Sequence, residues 1–296
     1  MIGKTVEINQ KALQALHKGD LYTAQTLFRE NVKRDRCALT WQNLGVFYGE
    51  NNILDENLRE RDGRRLALRL LSKAAAEDAS GKAAFAMGNV YEKLGNHAQA
   101  AVFFERSLSS KRRFAAVFNR GVCLFNDRAF AEAAASFEEA RYLANTEERT
   151  DVTAALAYAK IFAQKPDAAE YAQEIFRIRD DSLLYDQFVL AYLLQDEAHT
   201  AKYVLPAVRH FSLGEQVLAM AIDALLLLDR REEANAVFRE SVENLQDSAY
   251  NTSREEARLR RAYMEKDSRK ALIAAYLPPF DLQAVCCYLD CPFHKD

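Results

Sequence analysis

The chain has 296 residues, enough for one or two globular domains, and its composition is that of a soluble protein, 49% hydrophobic and 28% charged. Lys and Arg number 40 against 43 Asp and Glu, so the net charge is −3 and no general basic surface is available for nucleic acid or an anionic membrane. Only 10 Gly and 5 Pro are present, which leaves few turn-forming residues for a multistranded sheet. We therefore predict a helical protein that binds neither nucleic acid nor membrane.

The N-terminal stretch MIGKTVEINQKAL has no apolar segment of signal-peptide length. The longest apolar run, Val217 to Leu228, contains Asp223 and is too short to span a bilayer, so it predicts a buried helix. Five cysteines, two of them adjacent, do not match a secreted disulfide framework. These features predict a cytoplasmic location.

Three segments of the first half align without gaps, each around one glycine. They are TWQNLGVFYGE with Gly45, AFAMGNVYEKL with Gly88 and VFNRGVCLFND with Gly121. An apolar residue lies four positions before each glycine and another three after it, which places all three on one helix face. The small residue at the middle of this face indicates that a neighbouring helix approaches closely.

A second helix pattern follows each segment and extends the series to the start of the chain. Its members are Ala24, Phe28 and Asn31; Ala67, Leu71 and Ala74; Ala100, Phe104 and Ser107; and Ala133, Phe137 and Ala140. Gly88 and Gly121 are 33 residues apart, whereas ten residues are inserted between the equivalent positions of the preceding repeat. Repetition at this period is typical of stacked helical hairpins.

These residues resemble the tetratricopeptide repeat. Its pattern W-x2-L-G-x2-Y…A-x3-F is matched at Trp41, Leu44, Gly45, Tyr48, Ala67 and Leu71. The longer second repeat is also similar to the Sel1-like repeat, in which the loop between paired helices varies in length. The resemblance implies an all-α, right-handed α-solenoid of stacked antiparallel helix pairs.

The second half continues this rhythm with weaker similarity. Helices are predicted over 150–163, 167–179, 182–194, 198–211, 214–228, 232–245, 253–264 and 268–277. Pro278 and Pro279 then prevent further helix. We therefore predict one solenoid of about eight pairs over residues 1–277, with clear repeats over 5–143 and degenerate ones over 146–277, and a Cys-rich tail over 278–296.

A solenoid of this type presents its first helices along a concave groove suited to an extended peptide or a partner helix. The residues beside the packing stripe are predicted to line the groove: Gln42, Val46, Phe85, Asn89, Glu92, Phe118, Val122 and Phe125. The phenylalanines are expected to be partly open to water and to recognise a partner, or else to be covered by the tail or the inserted loop. The resemblance thus implies a protein- or peptide-binding scaffold.

Asn89 and Asn119 occupy positions that, in chaperone-binding members of the family, help to clamp a peptide's terminal carboxylate. That clamp also needs a lysine where this chain has Phe85, so we predict no carboxylate clamp. The insertion between Glu50 and Gly63 is polar and carries both charge signs, and it either has a function or only covers an edge.

The tail ends in CCYLDCPFHKD, which supplies Cys286, Cys287, Cys291 and His294. Three thiolates and an imidazole are a recognised tetrahedral zinc set, although two adjacent cysteines seldom reach one ion without strain. The other readings are a redox-sensitive pair and thiols that pack the tail onto a helix. A zinc cofactor is therefore the alternative to no cofactor at all.

No catalytic motif is evident, because the five histidines form no metalloprotease pattern and no glycine-rich phosphate loop follows a predicted strand. We predict a non-enzymatic protein. The alternatives to a scaffold are a regulatory sensor that uses the tail cysteines, and a peptide-responsive regulator without its own DNA-binding domain.

Overall fold

The fold is described from a computed structural model that covers residues 2–54, 60–109, 113–246, 253–264 and 269–294. These residues form sixteen α-helices and one two-stranded ribbon. The helices are α1 (Ile2–His17), α2 (Leu21–Arg34), α3 (Ala38–Glu50), α4 (Arg64–Ala75), α5 (Lys82–Lys93), α6 (His97–Arg106), α7 (Arg113–Asn126), α8 (Phe130–Leu143), α9 (Glu148–Phe162), α10 (Ala168–Arg177), α11 (Leu184–Leu193), α12 (Glu197–His210), α13 (Glu215–Leu227), α14 (Arg231–Gln246), α15 (Ser253–Tyr263) and α16 (Arg269–Ala275). The predicted all-α fold of antiparallel helix pairs is confirmed.

The chain divides into two compact units, and the first is discontinuous in sequence. It contains residues 1–144 together with 281–296, whereas the second contains residues 145–280. The division falls where the clear repeats give way to the degenerate ones. That residues 1–277 form a single continuous solenoid stays a prediction. No helix in the described ranges is both long and apolar enough to cross a membrane.

The first unit consists of four helical hairpins, α1–α2, α3–α4, α5–α6 and α7–α8, each packed on the next. The repeat glycines allow the two helices of a hairpin to approach closely. A Cβ atom added at Gly88 would lie 2.8 Å from Cε1 of Phe104, and one added at Gly121 would lie 2.7 Å from the same atom of Phe137. In these two hairpins the side chain that fills the space beside the glycine is therefore the phenylalanine of the second-helix pattern, and Leu71 takes the same place against Gly45 in α3–α4.

The turns between paired helices follow from local sequence. Gly19 and Gly95 adopt positive φ angles of 79° and 71°, a conformation that other residues rarely tolerate. The next residue begins the second helix, since Asp20 accepts a hydrogen bond from the Thr23 amide and Asn96 accepts one from the Gln99 amide. A left-handed glycine followed by an N-cap thus reverses the chain within a few residues.

The insertion after α3 forms a short ribbon in which strand β1 (Ile53–Leu54) pairs antiparallel with strand β2 (Glu60–Arg61). Residues 55–59 of the predicted loop lie outside the described residues. Gly63 follows the ribbon and lies against it, because a Cβ there would be 2.9 Å from Cγ1 of Ile53.

The second unit begins with the hairpins α9–α10 and α11–α12. Helix α13 then packs against α14, α15 and α16, so the last two helices share a common partner. This arrangement differs from the predicted series of simple pairs. Helix α16 covers only Arg269–Ala275 and shows one buried residue, Leu272, which limits the face it can offer to a partner helix.

A buried polar cluster lies among α9, α11 and Tyr276. The hydroxyl of Tyr158 donates to the Asp186 carboxylate at 2.9 Å, and the hydroxyls of Tyr185 and Tyr276 are 2.9 Å apart. Burial raises the pKa of the Asp186 carboxyl from its ordinary 3.8 to about 6, which outweighs the hydrogen bond from Tyr158. The folded chain therefore holds a proton here that the unfolded chain releases.

We expect Asp186 to make a contribution to the stability of the second unit that falls as the pH rises from about 4 to about 6, because only the folded form keeps this carboxyl protonated across the window. Other carboxyls of the unit also contribute, since burial raises the pKa of Asp151 and the hydrogen bond from Lys160 lowers the pKa of Asp167. The free energy of unfolding of Asp186→Asn, measured relative to the wild type, should therefore increase by about 2 kcal/mol across this window. Denaturant unfolding of both proteins at several pH values checks this prediction, and a difference between them that stays constant with pH would contradict the assignment.

Candidate peptide-binding groove and tail cysteines

An extended segment of the chain's own tail lies across the first helices of the hairpins in the first unit. This segment, residues 281–294, is called the docked tail below. It contains no helix or strand, and it contributes Leu282, Val285 and Tyr288 to the hydrophobic core of the first unit. The inner helices therefore line a surface that holds an extended peptide.

Asn43 of α3 both donates a hydrogen bond to the backbone of Leu289 and accepts one from it. Its Nδ2 donates to the Leu289 carbonyl at 3.0 Å, and its Oδ1 accepts from the Leu289 amide at 2.7 Å. Asn9 of α1 also donates to this carbonyl at 3.3 Å, and its Oδ1 accepts from Nδ2 of Asn43 at 2.6 Å. The side-chain amides of Asn9 and Asn43 thus satisfy the hydrogen-bonding groups of the Leu289 backbone.

Asn119 of α7 repeats this arrangement at Gln283. Its Nδ2 donates to the Gln283 carbonyl at 3.0 Å, and its Oδ1 accepts from the Gln283 amide at 2.7 Å. The two bound residues are six apart, or roughly 20 Å of extended chain. Helices α3 and α7 are separated by two hairpin steps of about 8–10 Å each, so the spacing of the repeats matches that of the bound peptide groups.

Further polar contacts fix the middle of the docked tail. Nε2 of Gln42 donates to the Cys287 carbonyl at 2.6 Å, and the Tyr288 hydroxyl donates to Oε2 of Glu50 at 3.0 Å. Burial raises the pKa of the Glu50 carboxyl, because the docked tail and α3 shield it from water. Glu50 is the first residue of the predicted insertion, which therefore begins at the tail contact.

Two aromatic side chains of the docked tail stack on rings of the first hairpin. Tyr288 stacks on Phe28 with ring centroids 6.0 Å apart, and Phe293 stacks on His17 at 4.0 Å. The tail runs from α7 back to α1, opposite to the order of the hairpins. Backbone hydrogen bonds set its register, and apolar contacts bury Cys287 and Tyr288.

The three phenylalanines predicted to be open to the groove are instead buried. Phe85 is 2% exposed, Phe118 4% and Phe125 0%. Each ring packs within its own hairpin, on Phe104, Phe137 and Phe130 respectively. This corrects the expectation that they are partly open to water, and the physical reason is that each ring contacts an aromatic ring of the second helix in its hairpin.

The other predicted groove residues are placed as follows. Gln42 contacts the tail backbone, Val46 and Val122 are buried, and Asn89 and Glu92 are half-buried on α5. That any of them binds a partner stays a prediction.

The sequence-based set omits the main tail-binding side chains, Asn9, Asn43 and Asn119. Asn43 and Asn119 each lie two residues before a repeat glycine, so an asparagine shared by two aligned repeats was the available signal. Asn9 lies three residues before Ala12, which takes the small position in the first hairpin.

The tail cysteines separate into two groups. Cys286, Cys291 and His294 bring their ligand atoms within 4.8 Å of one another. Cys287 is 1% exposed, and its thiol donates to the Val285 carbonyl at 3.4 Å. Cys123 is a core residue, and burial raises the pKa of its thiol to about 12.

Comparisons with known proteins agree with this architecture. Residues 81–114 match the family profile of the tetratricopeptide repeat. A tetratricopeptide repeat protein from Parabacteroides merdae superposes with a TM-score of 0.59 at 14% identity, covering 88% of this chain and 99% of that protein. No curated protein matches the sequence significantly.

Two proteins with pilus-related names, PilF and PilW, share the fold. Pseudomonas aeruginosa PilF superposes with a TM-score of 0.54 at 20% identity, covering 77% of this chain and 98% of PilF. PilW, described as a type IV pilus biogenesis factor, gives 0.51 at 19% identity and covers 68% of this chain and 90% of PilW. The chain thus has a tetratricopeptide-repeat fold, a fold used mainly by protein-interaction scaffolds, and the resemblance predicted from Trp41, Gly45 and Tyr48 is confirmed.

Proposed function

We propose that the first unit is a protein-binding scaffold whose groove takes up an extended segment of a partner protein. The observation that carries this proposal is the docked tail, since the chain's own peptide lies on the inner helices with its backbone bound by Asn43 and Asn119. The proposed role is binding rather than catalysis. All five cysteines are thiols, which suits the cytoplasm as the proposed location.

The groove recognises the peptide backbone more than the side chains. Asn43 and Asn119 each bind an N–H and a C=O group of the tail, a pair that every residue except proline supplies. A partner segment therefore needs peptide groups six residues apart, no proline at these two positions, and an apolar or aromatic residue where Tyr288 lies. This mode resembles strand addition, in which backbone bonds give affinity and pockets give specificity.

The docked tail is a competitor for this groove. A partner must displace the tail or bind when it is released. The apparent affinity for a partner is therefore the intrinsic affinity multiplied by the fraction of molecules in which the tail is released. The tail also leaves one groove atom unsatisfied: Oε1 of Gln42 is buried and accepts no hydrogen bond from the described residues. A segment that offers a donor at this point gains an interaction that the tail lacks.

A cleavable full-length chain tests the proposal. A protease site placed after Phe280, at the boundary of the two units, leaves every residue present but makes the tail exchangeable. After cleavage, a labelled peptide of residues 281–294 should bind the groove, whereas the uncut chain should bind it at least tenfold more weakly because of the tethered tail. Fluorescence anisotropy measures both.

N-methylated peptides provide the matched control. Methylation of the Leu289 amide removes the donor to Asn43 and should weaken binding by about tenfold or more. Methylation at Ala284, an exposed residue for which the described structure shows no amide hydrogen bond, should have a much smaller effect. Equal loss from both methylations, or no binding to the cleaved chain, would refute backbone recognition by the groove.

A second candidate function is regulatory. The convergence of Cys286, Cys291 and His294 favours it, because metal binding or oxidation at these residues acts on the tail that occupies the groove. Metal binding there should change the exchange of the labelled peptide in the cleaved chain, which separates regulation from a purely structural tail.

A further inference from the structure

Three potential metal ligands converge where the docked tail turns at its end. Cys286 lies on the extended part of the tail, while Cys291 and His294 follow the turn at Leu289 and Asp290. Asp290 has a positive φ of 50°, which helps the chain to fold back toward Cys286. One ligand atom from each residue lies within 4.8 Å of the other two, and Sγ of Cys291 is 3.4 Å from Nδ1 of His294.

These separations suit a tetrahedral ion. Zinc binds cysteine sulfur at about 2.3 Å and histidine nitrogen at about 2.0 Å, so neighbouring ligand atoms around it are about 3.6–3.8 Å apart. The Cys291–His294 pair is already near this value, and the widest pair needs to close by roughly 1 Å. His294 is exposed, so its side chain can make this adjustment.

Cys287 does not belong to the group. Cys287 is buried, and its thiol donates to the Val285 carbonyl, whereas Cys286 is only half-buried and lies within 4.8 Å of the other two ligand atoms. The strain expected of two adjacent cysteine ligands is therefore avoided. Partial exposure of Cys286 and Cys291 gives an ion access from solvent and leaves its fourth position to water.

We propose that Cys286, Cys291 and His294 bind one zinc ion, with a water molecule as the fourth ligand. Each thiol releases its proton to solvent as its sulfur binds the metal, so binding strengthens as the pH rises. The ion joins the extended part of the tail to its terminal turn, on either side of Leu289. Because Leu289 is the residue that Asn43 and Asn9 bind, the ion fixes the loop that carries the main backbone contact.

Cobalt titration of the reduced full-length chain tests the site. One equivalent of Co²⁺ should produce sulfur-to-cobalt charge-transfer bands and the intense visible bands of a tetrahedral centre, and one equivalent of zinc should remove them. Cys291→Ser and His294→Ala should each weaken cobalt binding by more than about tenfold, since changes even outside the ligand shell have effects of this size. Circular dichroism should show unchanged helix content in both variants.

Two cysteine variants serve as controls. Cys37→Ser and Cys287→Ala remove thiols outside the site and should leave the cobalt spectrum and stoichiometry unchanged. The proposal is overturned if the reduced chain shows no charge-transfer bands, if the spectrum survives in Cys291→Ser, or if Cys37→Ser abolishes it. The site does not depend on the proposed groove function, because cobalt binding is measured without a partner.

Discussion

Gly88→Ala should destabilise the first unit by about 2–3 kcal/mol, although alanine is the better helix former at most positions. The new Cβ would lie 2.8–2.9 Å from three ring atoms of Phe104. That ring is fully buried and packs edge-on against Phe85 at 5.1 Å, so it cannot move away without disturbing a second ring. Urea unfolding followed by circular dichroism measures the loss, and Gly121→Ala against Phe137 should behave alike.

A double-mutant cycle identifies the ring contact as the cause. In a Phe104→Ala background the ring is absent, so Gly88→Ala should lose most of its effect. Gly3→Ala is the matched control, because no heavy atom lies within 4 Å of a Cβ at this helical position, and it should be neutral or stabilising by up to about 1 kcal/mol. An equal loss for Gly88→Ala in both backgrounds would rule out the overpacking explanation.

The double variant Asn43→Ala, Asn119→Ala should release the docked tail while the hairpins remain folded. Each asparagine satisfies an amide and a carbonyl of the tail, and leaving such groups unpaired costs about 2 kcal/mol per site. Together the two losses shift the docking equilibrium roughly a thousandfold. Hydrogen exchange of residues 281–291 should accelerate accordingly, and the buried Cys287 should become reactive toward thiol reagents.

Gln10→Ala provides the control for this prediction, because Gln10 is exposed on α1 beside Asn9. It should change neither tail exchange nor Cys287 reactivity. The double variant should also retain the helix content of the wild type. Protection of the tail amides in the double variant that equals the wild-type value would mean that apolar contacts alone hold the tail, and the role assigned to the asparagines would be wrong.

The helices could be predicted closely from the sequence, because local pattern determines them. Predicted helices over 198–211 and 214–228 correspond to Glu197–His210 and Glu215–Leu227, and the repeat glycines were correctly read as points of close helix approach. These features depend on residues of the same helix or of the two helices of one hairpin. The short ribbon at Ile53 was not predicted, since two-residue strands leave no periodic signal.

The candidate site depends on contacts between distant parts of the chain, which the repeat pattern does not encode. Leu289 and Asn43 are 246 positions apart, and no periodicity links them. The phenylalanines were misplaced because groove and hairpin positions are adjacent on the helix, so a small rotation moves a ring such as Phe118 from one to the other. A buried asparagine repeated at one repeat position remains the best sequence sign of a peptide-binding face.

The docked tail has a consequence for the time at which the groove can be used. The four hairpins of residues 1–144 leave the ribosome before residues 281–294 exist, and the intervening stretch takes on the order of ten seconds to translate. During this interval α3 and α7 can fold before Asn43 and Asn119 have a tail backbone to bind. A partner present at synthesis therefore meets a vacant groove, whereas one that arrives later must compete with a tethered peptide.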